Sequence, residues 1–166
     1  MKTLLRPLAG FLCGLFLLAS ARADDAGMAR VYLRDLEQQV TVAKEKTDAM
    51  YAWLQCEQTL KGLEETVAKL PAADQKPYLT KIAEFKPAVT AGAARNRANM
   101  IVRKIHDALQ SARDDIAAGN NKLVNLQEAY FDRLDKYFAE KDLAALPPAD
   151  LKKLKDDYSE VRKGAK

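Results

Sequence analysis

Cationic side chains are concentrated in one stretch of this sequence, residues 81–104. Only one acid, Glu84, accompanies six lysines and arginines there. The cations are Lys81, Lys86, Arg95, Arg97, Arg103 and Lys104. Because successive helical residues point in different directions, these charges would wrap around a helix rather than line one face. They form our candidate contact site for an acidic partner, such as anionic lipid, an anionic polymer or an acidic protein segment. A solvated or internally paired surface is the alternative.

The other reactive side chains form no recognisable catalytic or metal-binding pattern. His106 is the only histidine, and one histidine cannot supply the His and Glu pairs of a bundle metal site. Ser111 and Ser159 lack the flanking glycines of a nucleophile elbow. Acids occur as sequence neighbours, which point about 100° apart on a helix and do not face each other. We therefore predict a non-enzymatic protein with no metal and no cofactor.

An export signal is predicted at the N-terminus, over residues 1–23. Two basic residues precede an apolar stretch at 8–19, and Ala21 and Ala23 supply the small residues that a signal peptidase reads. Cleavage is expected before Asp24. The apolar stretch has about 12 residues and a spanning helix needs about 20, so a permanent anchor is the weaker interpretation.

Removal of this signal changes the charge and the cysteine content. Three of the four net positive charges lie in residues 1–23, so residues 24–166 are close to neutral. Attraction of the whole molecule to nucleic acid is therefore not expected. Cys56 becomes the only cysteine, which excludes an intramolecular disulfide. We predict that Cys56 lies in the core, with a disulfide across a homodimer as the alternative. The pattern favours a periplasmic location, with secretion as a second possibility.

Helix-forming residues dominate the rest of the chain, and no strand pattern is found. A first long helix is predicted over 29–70, with its apolar stripe shifted by three residues around Met50. Pro71 ends this helix. A short helix should follow from Asp74, and Pro87 should break or kink the chain there and begin the next long helix.

The second long helix contains a possible break at Gly119. A glycine followed by asparagines is typical of a helix end, but the apolar stripe continues past it without losing phase. We predict that the helix continues, with at most a mild kink. Pro147 and Pro148 then end it, and a final short helix is expected over 150–163.

A sequence similarity links the two parts of the chain. The segment Leu-Pro-Ala-Ala-Asp at 70–74 recurs as Leu-Pro-Pro-Ala-Asp at 146–150, and the apolar stripes align at the same offset. The 24–166 region is expected to be a single helical domain, and two related halves, about 24–86 and 88–163, would explain the repeat.

Together these features predict an all-α fold. The predicted architecture is an elongated antiparallel helical bundle, or coiled-coil-like hairpin, of two long and two short helices. Four aromatic residues at 130, 131, 137 and 138 should pack in its core, or else widen it into a partner surface.

By analogy with other exported helical proteins, we expect a protein-binding scaffold, adaptor or chaperone. A peripheral envelope protein that contacts anionic lipid or polymer through residues 81–104 is the alternative. A homodimer is compatible with both.

Overall fold

The computed structural model describes residues 6–45, 51–120 and 124–165, and these ranges are helical with no strand. The helices are α1 (Arg6–Glu45), α2 (Ala52–Val67), α3 (Ala72–Ala117), α4 (Val124–Phe138) and α5 (Pro148–Gly164), with a short 3-10 helix (Lys141–Ala145) before α5. The predicted all-α helical bundle is confirmed, although the helix boundaries differ from those expected.

The chain divides into two compact units, Met1–Thr90 and Ala91–Lys166. The N-terminal unit contains α1, α2 and the first part of α3. The C-terminal unit contains the rest of α3, α4, the 3-10 helix and α5. Each unit has its own hydrophobic core.

The core of the N-terminal unit draws on all three of its helices. Its members share almost complete burial, and they come from the apolar stripes seen in the sequence: Ala29, Leu36, Val40, Ala43, Cys56, Leu60, Leu63, Val67, Leu70, Ile82 and Val89. Tyr32, Trp53 and Phe85 pack against them from the rim. Burial of these stripes is what drives the helices together.

α1 and α2 form an antiparallel hairpin. Thr59 on α2 donates a hydrogen bond to the side-chain oxygen of Gln39 on α1, at 2.8 Å. Further from the turn, Gly62 lies against the ring of Tyr32. As the residue number on α2 increases, the residue number of the contacting residue on α1 decreases, so the two helices are antiparallel.

The predicted continuous helix over 29–70 is therefore wrong. α1 ends at Glu45 and α2 begins at Ala52. The two halves of the stripe face each other across the hairpin, so the three-residue shift near Met50 marks a chain reversal rather than a change in coiled-coil winding. Thr47 and Met50 themselves lie outside the described residues.

The predicted break at Pro87 is also wrong, since α3 runs through both Pro77 and Pro87. An internal proline costs about 3 kcal/mol, because it removes one backbone hydrogen bond and crowds the preceding turn. Both prolines are exposed, and Ala83, whose carbonyl loses its partner to Pro87, is exposed too. Water can satisfy that carbonyl, while Ile82 and Val89 bury the opposite face.

Gly119 ends α3, so the prediction that the helix continues past this residue is wrong. Its φ of 74° is left-handed, and its N–H bonds to the carbonyl of Ile116 at 3.0 Å. Glycine adopts this conformation without the steric cost that a Cβ imposes. The second predicted long helix is thus two helices, α3 and α4, so the expected set of two long and two short helices gains a third short one.

The core of the C-terminal unit joins α3, α4, the 3-10 helix and α5. Its members are again buried apolar residues: Ile101, Ile105, Ala108, Leu109, Ala112, Phe131, Leu134, Leu143, Leu154, Val161 and Ala165. α4 and α5 run antiparallel. Phe138 on α4 packs on Tyr158 of α5. Phe131 lies seven residues earlier on α4, and it contacts Arg162, which lies four residues later on α5. α5 begins at Pro148, where a missing N–H costs nothing.

The two units follow the same order of elements at the 76-residue offset of the sequence repeat. Each has a helix, a second helix, the Leu-Pro segment and a third helix, and the C-terminal unit adds the 3-10 helix before its Leu-Pro segment. The backbone repeats as well. The N–H of Asp74 bonds to the carbonyl of Pro71 at 2.8 Å, and that of Asp150 bonds to Pro147 at 3.0 Å. The shared ancestry of the two halves stays a prediction.

Candidate binding surfaces

Two of the six candidate cations, Lys81 and Lys86, lie in the N-terminal unit and both have carboxylate partners. Lys81 bonds to Glu84 at 3.0 Å, and this contact, with the charge of Glu84, raises the pKa of Lys81. Lys86 reaches across to Glu64 on α2 at 2.9 Å. These two ion pairs balance much of the positive charge at the start of residues 81–104.

The other four cations lie in the C-terminal unit, on α3. Arg97 forms an ion pair with Asp142 of the 3-10 helix at 3.5 Å. The ammonium of Lys104 lies 5.9 Å from the ring centroid of Tyr137 on α4. Arg95 and Arg103 are exposed, and no acid of the described ranges lies within ion-pair distance of either guanidinium.

The structure thus divides the six cations of the predicted basic site according to their partners and does not bring them together as one site. Lys81, Lys86 and Arg97 serve internal ion pairs, which agrees with the paired-surface alternative for those three residues. Arg95 and Arg103 are eight residues apart on α3, which places them about 80° apart around the helix and about 12 Å apart along it. They remain the candidates for an external anionic contact.

A groove of 260 Å³ opens in the C-terminal unit, between α3 and α5. Its floor is apolar and its rim is polar, with lining residues Asn99, Val102, His106, Leu146, Asp150, Lys153, Leu154 and Asp157. His106 is exposed at this rim. No sequence pattern pointed to the groove, because its lining comes from segments about fifty residues apart.

One of the two acids that line this groove, Asp157, has a basic partner. Asp157 accepts a hydrogen bond from the guanidinium of Arg113, which ties α5 to α3. Both side chains are partly exposed, so the pair is expected to contribute at most about 1 kcal/mol to stability. Its structural role is to fix how α5 lies along α3 at the groove.

Three of the four aromatic residues near the end of α4, Phe131, Tyr137 and Phe138, lie in the core or pack against it, as the core interpretation predicted, whereas Tyr130 is not part of it. Phe131 is buried, and its ring centroid lies 5.9 Å from that of Tyr158 on α5. Phe138 contacts the same ring at 5.1 Å. Tyr158 donates a hydrogen bond to Asp135 and accepts one from Arg162. Burial, followed by the hydrogen bond to Asp135, raises the pKa of Tyr158 to about 12.

Cys56 lies in the core of the N-terminal unit, which confirms the prediction of a buried cysteine. Its side chain is fully inaccessible, and burial raises the pKa of the thiol. A thiol without solvent contact cannot reach a second molecule unless the unit opens. The alternative of a disulfide across a homodimer is therefore disfavoured by the folded structure.

An exposed apolar seam on α1 is the feature that the sequence reasoning missed. Met28, Val31 and Val42 are 43%, 41% and 43% exposed. With Asp35 and Gln38 they follow alternating steps of three and four residues. We call these five residues the α1 seam. The three-four spacing of these residues is visible in the sequence, but the core stripe of the same helix is more regular, and only the core stripe was identified.

The described residues contain neither a metal-binding cluster nor a membrane-spanning helix. No group of three or more His, Cys, Asp or Glu side chains lies close enough together there to bind a metal ion. No helix in that part of the chain is both long enough and apolar enough to cross a membrane.

No protein-family model matches the chain, no curated protein matches it, and no solved structure matches its fold.

Proposed function

We propose that the chain is exported to the periplasm, loses residues 1–23 and works there as a non-catalytic interaction protein, as a scaffold, adaptor or chaperone. The α1 seam carries this proposal. Soluble helices normally expose polar residues outside their core face, whereas α1 also exposes the apolar Met28, Val31 and Val42 there. These side chains share three-four spacing with the polar Asp35 and Gln38, and a mixed surface of this kind fits another amphipathic helix.

Site-specific photo-crosslinking in the native envelope tests this function. A crosslinking amino acid replaces Val31 in the seam, and a matched variant carries it at Gln58, an exposed polar position on α2 of the same unit. We expect protein adducts from position 31 and few from position 58. Equal labelling from both positions, or no protein adduct at position 31, would overturn the proposal.

A second candidate function is contact with an anionic lipid or polymer surface. Arg95 and Arg103 favour it, because they are exposed and form no ion pair with an acid of the described ranges. Each cation near an anionic membrane contributes about 1 kcal/mol of binding. Exchanging both for alanine should therefore weaken binding about 30-fold.

Vesicle sedimentation separates this candidate from the first. The mature protein is mixed at low salt with phosphatidylglycerol vesicles and with phosphatidylcholine vesicles. The lipid contact requires a preference for the anionic vesicles that the Arg95→Ala/Arg103→Ala variant loses. Lys86→Ala is the control, since Lys86 is held by Glu64. Equal sedimentation with both lipids would eliminate the lipid contact.

A further inference from the structure

We propose that the groove between α3 and α5 binds an aromatic side chain that a partner protein presents on an acidic segment. The inference rests on the proposed function only in that the ligand is a protein. The groove lies in the C-terminal unit, whereas the α1 seam lies in the N-terminal unit. Support comes from a comparison of the two units, from the size of the groove and from the charges next to it.

The two units pack their last helix on their first helix in the same way. In the C-terminal unit, Arg113 on α3 forms an ion pair with Asp157 on α5. In the N-terminal unit, Glu37 on α1 and Lys81 on α3 stand 76 residues before these two positions. The pKa of Lys81 is raised first by Glu84 and further by the charge of Glu37, so Glu37 lies near Lys81. The same cross-helix pair thus recurs with its charges exchanged.

One turn before this pair, the two units differ in the residues between the helices. Leu154, Val102 and Leu146 form the apolar floor of the groove. At the offset of 76 residues, Tyr78 takes the place of Leu154 and Ala26 takes that of Val102, and both pack against the core of the N-terminal unit. The N-terminal unit therefore has a tyrosine ring where the C-terminal unit has a leucine and an open groove. No aromatic residue of the described ranges lines that groove, so a ring that fills it comes from another molecule.

The size of the groove suits one side chain better than a free small molecule. Its volume is 260 Å³, whereas pockets for small-molecule ligands have about 300–1,000 Å³. Aromatic side chains that fill small apolar pockets are frequent anchors of protein–protein contacts, because one ring buries about 150–250 Å². On the rim, Asn99 and Lys153 offer hydrogen-bond donors to the backbone on either side of the anchor.

Two arginines adjoin the groove on α3. Asn99 and His106 line the groove from this helix. Arg103 is four residues after Asn99 and three before His106, and residues at these spacings are neighbours on a helix surface. Arg95 lies one turn before Asn99 on the same face. Both guanidinium groups are exposed and form no ion pair with an acid of the described ranges.

The formal charges on and beside the groove sum to a positive value. Asp157 is neutralised by its pair with Arg113, and the opposite charges of Asp150 and Lys153 cancel on the rim that α5 provides. Arg95 and Arg103 remain uncompensated. Acids that flank the aromatic residue of a partner would lie against these two guanidinium groups, which favours association and disfavours a basic segment.

Short peptides test both features of the ligand. The mature protein, with isotope-labelled methyl groups, is titrated with the blocked peptides EEYEE, EEAEE and KKYKK, and the methyl resonances of Val102, Leu146 and Leu154 are followed by NMR. We expect EEYEE to shift all three, because a bound aromatic ring adds its ring current to methyl groups beneath it. EEAEE should leave them unchanged, and KKYKK should bind about tenfold more weakly than EEYEE.

Leu154→Tyr is the matched variant, because it introduces the residue that the N-terminal unit has at this position. It should keep the helical circular dichroism of the wild type and weaken EEYEE binding at least about tenfold. If it loses the helical signal, Val102→Phe fills the groove from α3 and replaces it in the test. Arg95→Ala/Arg103→Ala should weaken binding about fivefold with the same methyl groups shifted. Lys86→Ala, in the N-terminal unit, is the control and should bind EEYEE normally.

The other outcomes each contradict a defined part of the inference. Equal binding of EEAEE would remove the aromatic anchor, and equal binding of KKYKK would remove the acidic segment. Tighter binding of para-hydroxyphenylacetate than of EEYEE would make the ligand a small aromatic acid. If anionic vesicles bind through Arg95 and Arg103 while EEYEE shifts no methyl resonance, the arginines serve lipid and the groove is not a protein-binding site.

The peptide titration and the photo-crosslinking at Val31 fail independently. Protein adducts at Val31 without any methyl shift from EEYEE would leave the proposed function standing and overturn the groove as its contact. Methyl shifts from EEYEE without adducts at Val31 would support the groove and overturn the α1 seam. If both experiments give nothing, both proposals fail.

Discussion

The ring of Tyr32 on α1 lies directly over Gly62 on α2. A Cβ built on Gly62 would come within 3.0 Å of Cε1 and Cζ of that ring, closer than side chains normally approach. Glycine at this position lets the two helices of the hairpin approach each other while the aromatic ring covers their contact.

Replacing Gly62 by alanine should therefore destabilise the protein. In an unobstructed helix the same exchange stabilises by up to about 1 kcal/mol. Here displacement of the Tyr32 ring is expected to outweigh that gain, with a net loss of about 1 kcal/mol. Urea unfolding of Gly62→Ala measures it. Gly27→Ala on α1 is the matched control, because nothing lies within 4 Å of its Cβ, and it should stabilise. Stabilisation of both variants would contradict the close packing of Tyr32.

Gly119 should resist substitution because of its backbone rather than its surroundings. Nothing lies within 4 Å of a Cβ added there, but its φ of 74° is left-handed. Gly119→Ala should cost about 1 kcal/mol, and Gly119→Asn should cost less because asparagine tolerates this conformation. Thermal unfolding of the two variants checks the order. Equal costs would indicate that the turn rearranges.

Cys56 should be protected from thiol reagents in the folded protein. It is fully buried, and its raised pKa lowers the fraction of reactive thiolate. We expect labelling by a maleimide to be slow in buffer and rapid in concentrated urea. Because the folded state raises this pKa above its usual 9.0, the associated stability is complete below pH 9 and is lost as the pH rises further. Rapid labelling in buffer would show that the N-terminal unit opens readily.

Tyr158 should give the C-terminal unit a stability loss in alkali. The folded protein holds the phenol proton up to a pKa of about 12, against 10.0 when unfolded. The associated stability is therefore complete below pH 10 and declines as the pH rises toward 12. Tyr158→Phe should be less stable at pH 8, by about 1 kcal/mol for its lost hydrogen bonds. It should also show a smaller decline above pH 10.

The measurement is the free energy of urea unfolding at several pH values. Tyr51→Phe serves as the control, since that ring is 56% exposed. If Tyr158→Phe and the wild type lost the same stability between pH 10 and 12, Tyr158 would not be the group responsible.

Export should produce a mature chain that begins at Asp24. Small residues at Ala21 and Ala23 are what the peptidase reads, so Ala23→Leu should leave the precursor uncleaved. Arg22→Gln, between them, should be processed normally. Cleavage would place Asp24 and Asp25 in the first turn of α1, where acids interact favourably with the helix dipole. Intact mass measurement of the purified protein decides it, and a mature chain that retains residues 1–23 would contradict the signal.

The sequence predicted helices and buried faces better than it predicted helix ends. The stripes at Leu36, Val40, Leu60 and Leu63 are buried as their periodicity indicated. The spacing of an apolar stripe contains no information about whether the chain reverses direction within it. α1 and α2 therefore read as one helix, as did α3 and α4. At Pro87 the error is the opposite, since a helix end was predicted where α3 continues. The energetic cost of the proline is local, whereas burial of the opposite face extends over the whole helix.

The candidate binding surfaces depended more on tertiary structure than the core did. The sequence located every cation of residues 81–104, but only the fold assigned Lys86 to Glu64 and Arg97 to Asp142. Composition records charge, while pairing depends on which helices are neighbours. Arg95 and Arg103 became distinct from the rest only after those neighbours were known.

By itself, the sequence determined the helical class and the buried stripes, because these follow from residue type and spacing along one chain, and it predicted the export signal. Tertiary structure decided the chain reversals, the division into two units and the exposure of the α1 seam. The seam shows the reason most clearly. Met28, Val31 and Val42 have the spacing of a core stripe, and only the packing of α2 and α3 on the other side of α1 left them exposed.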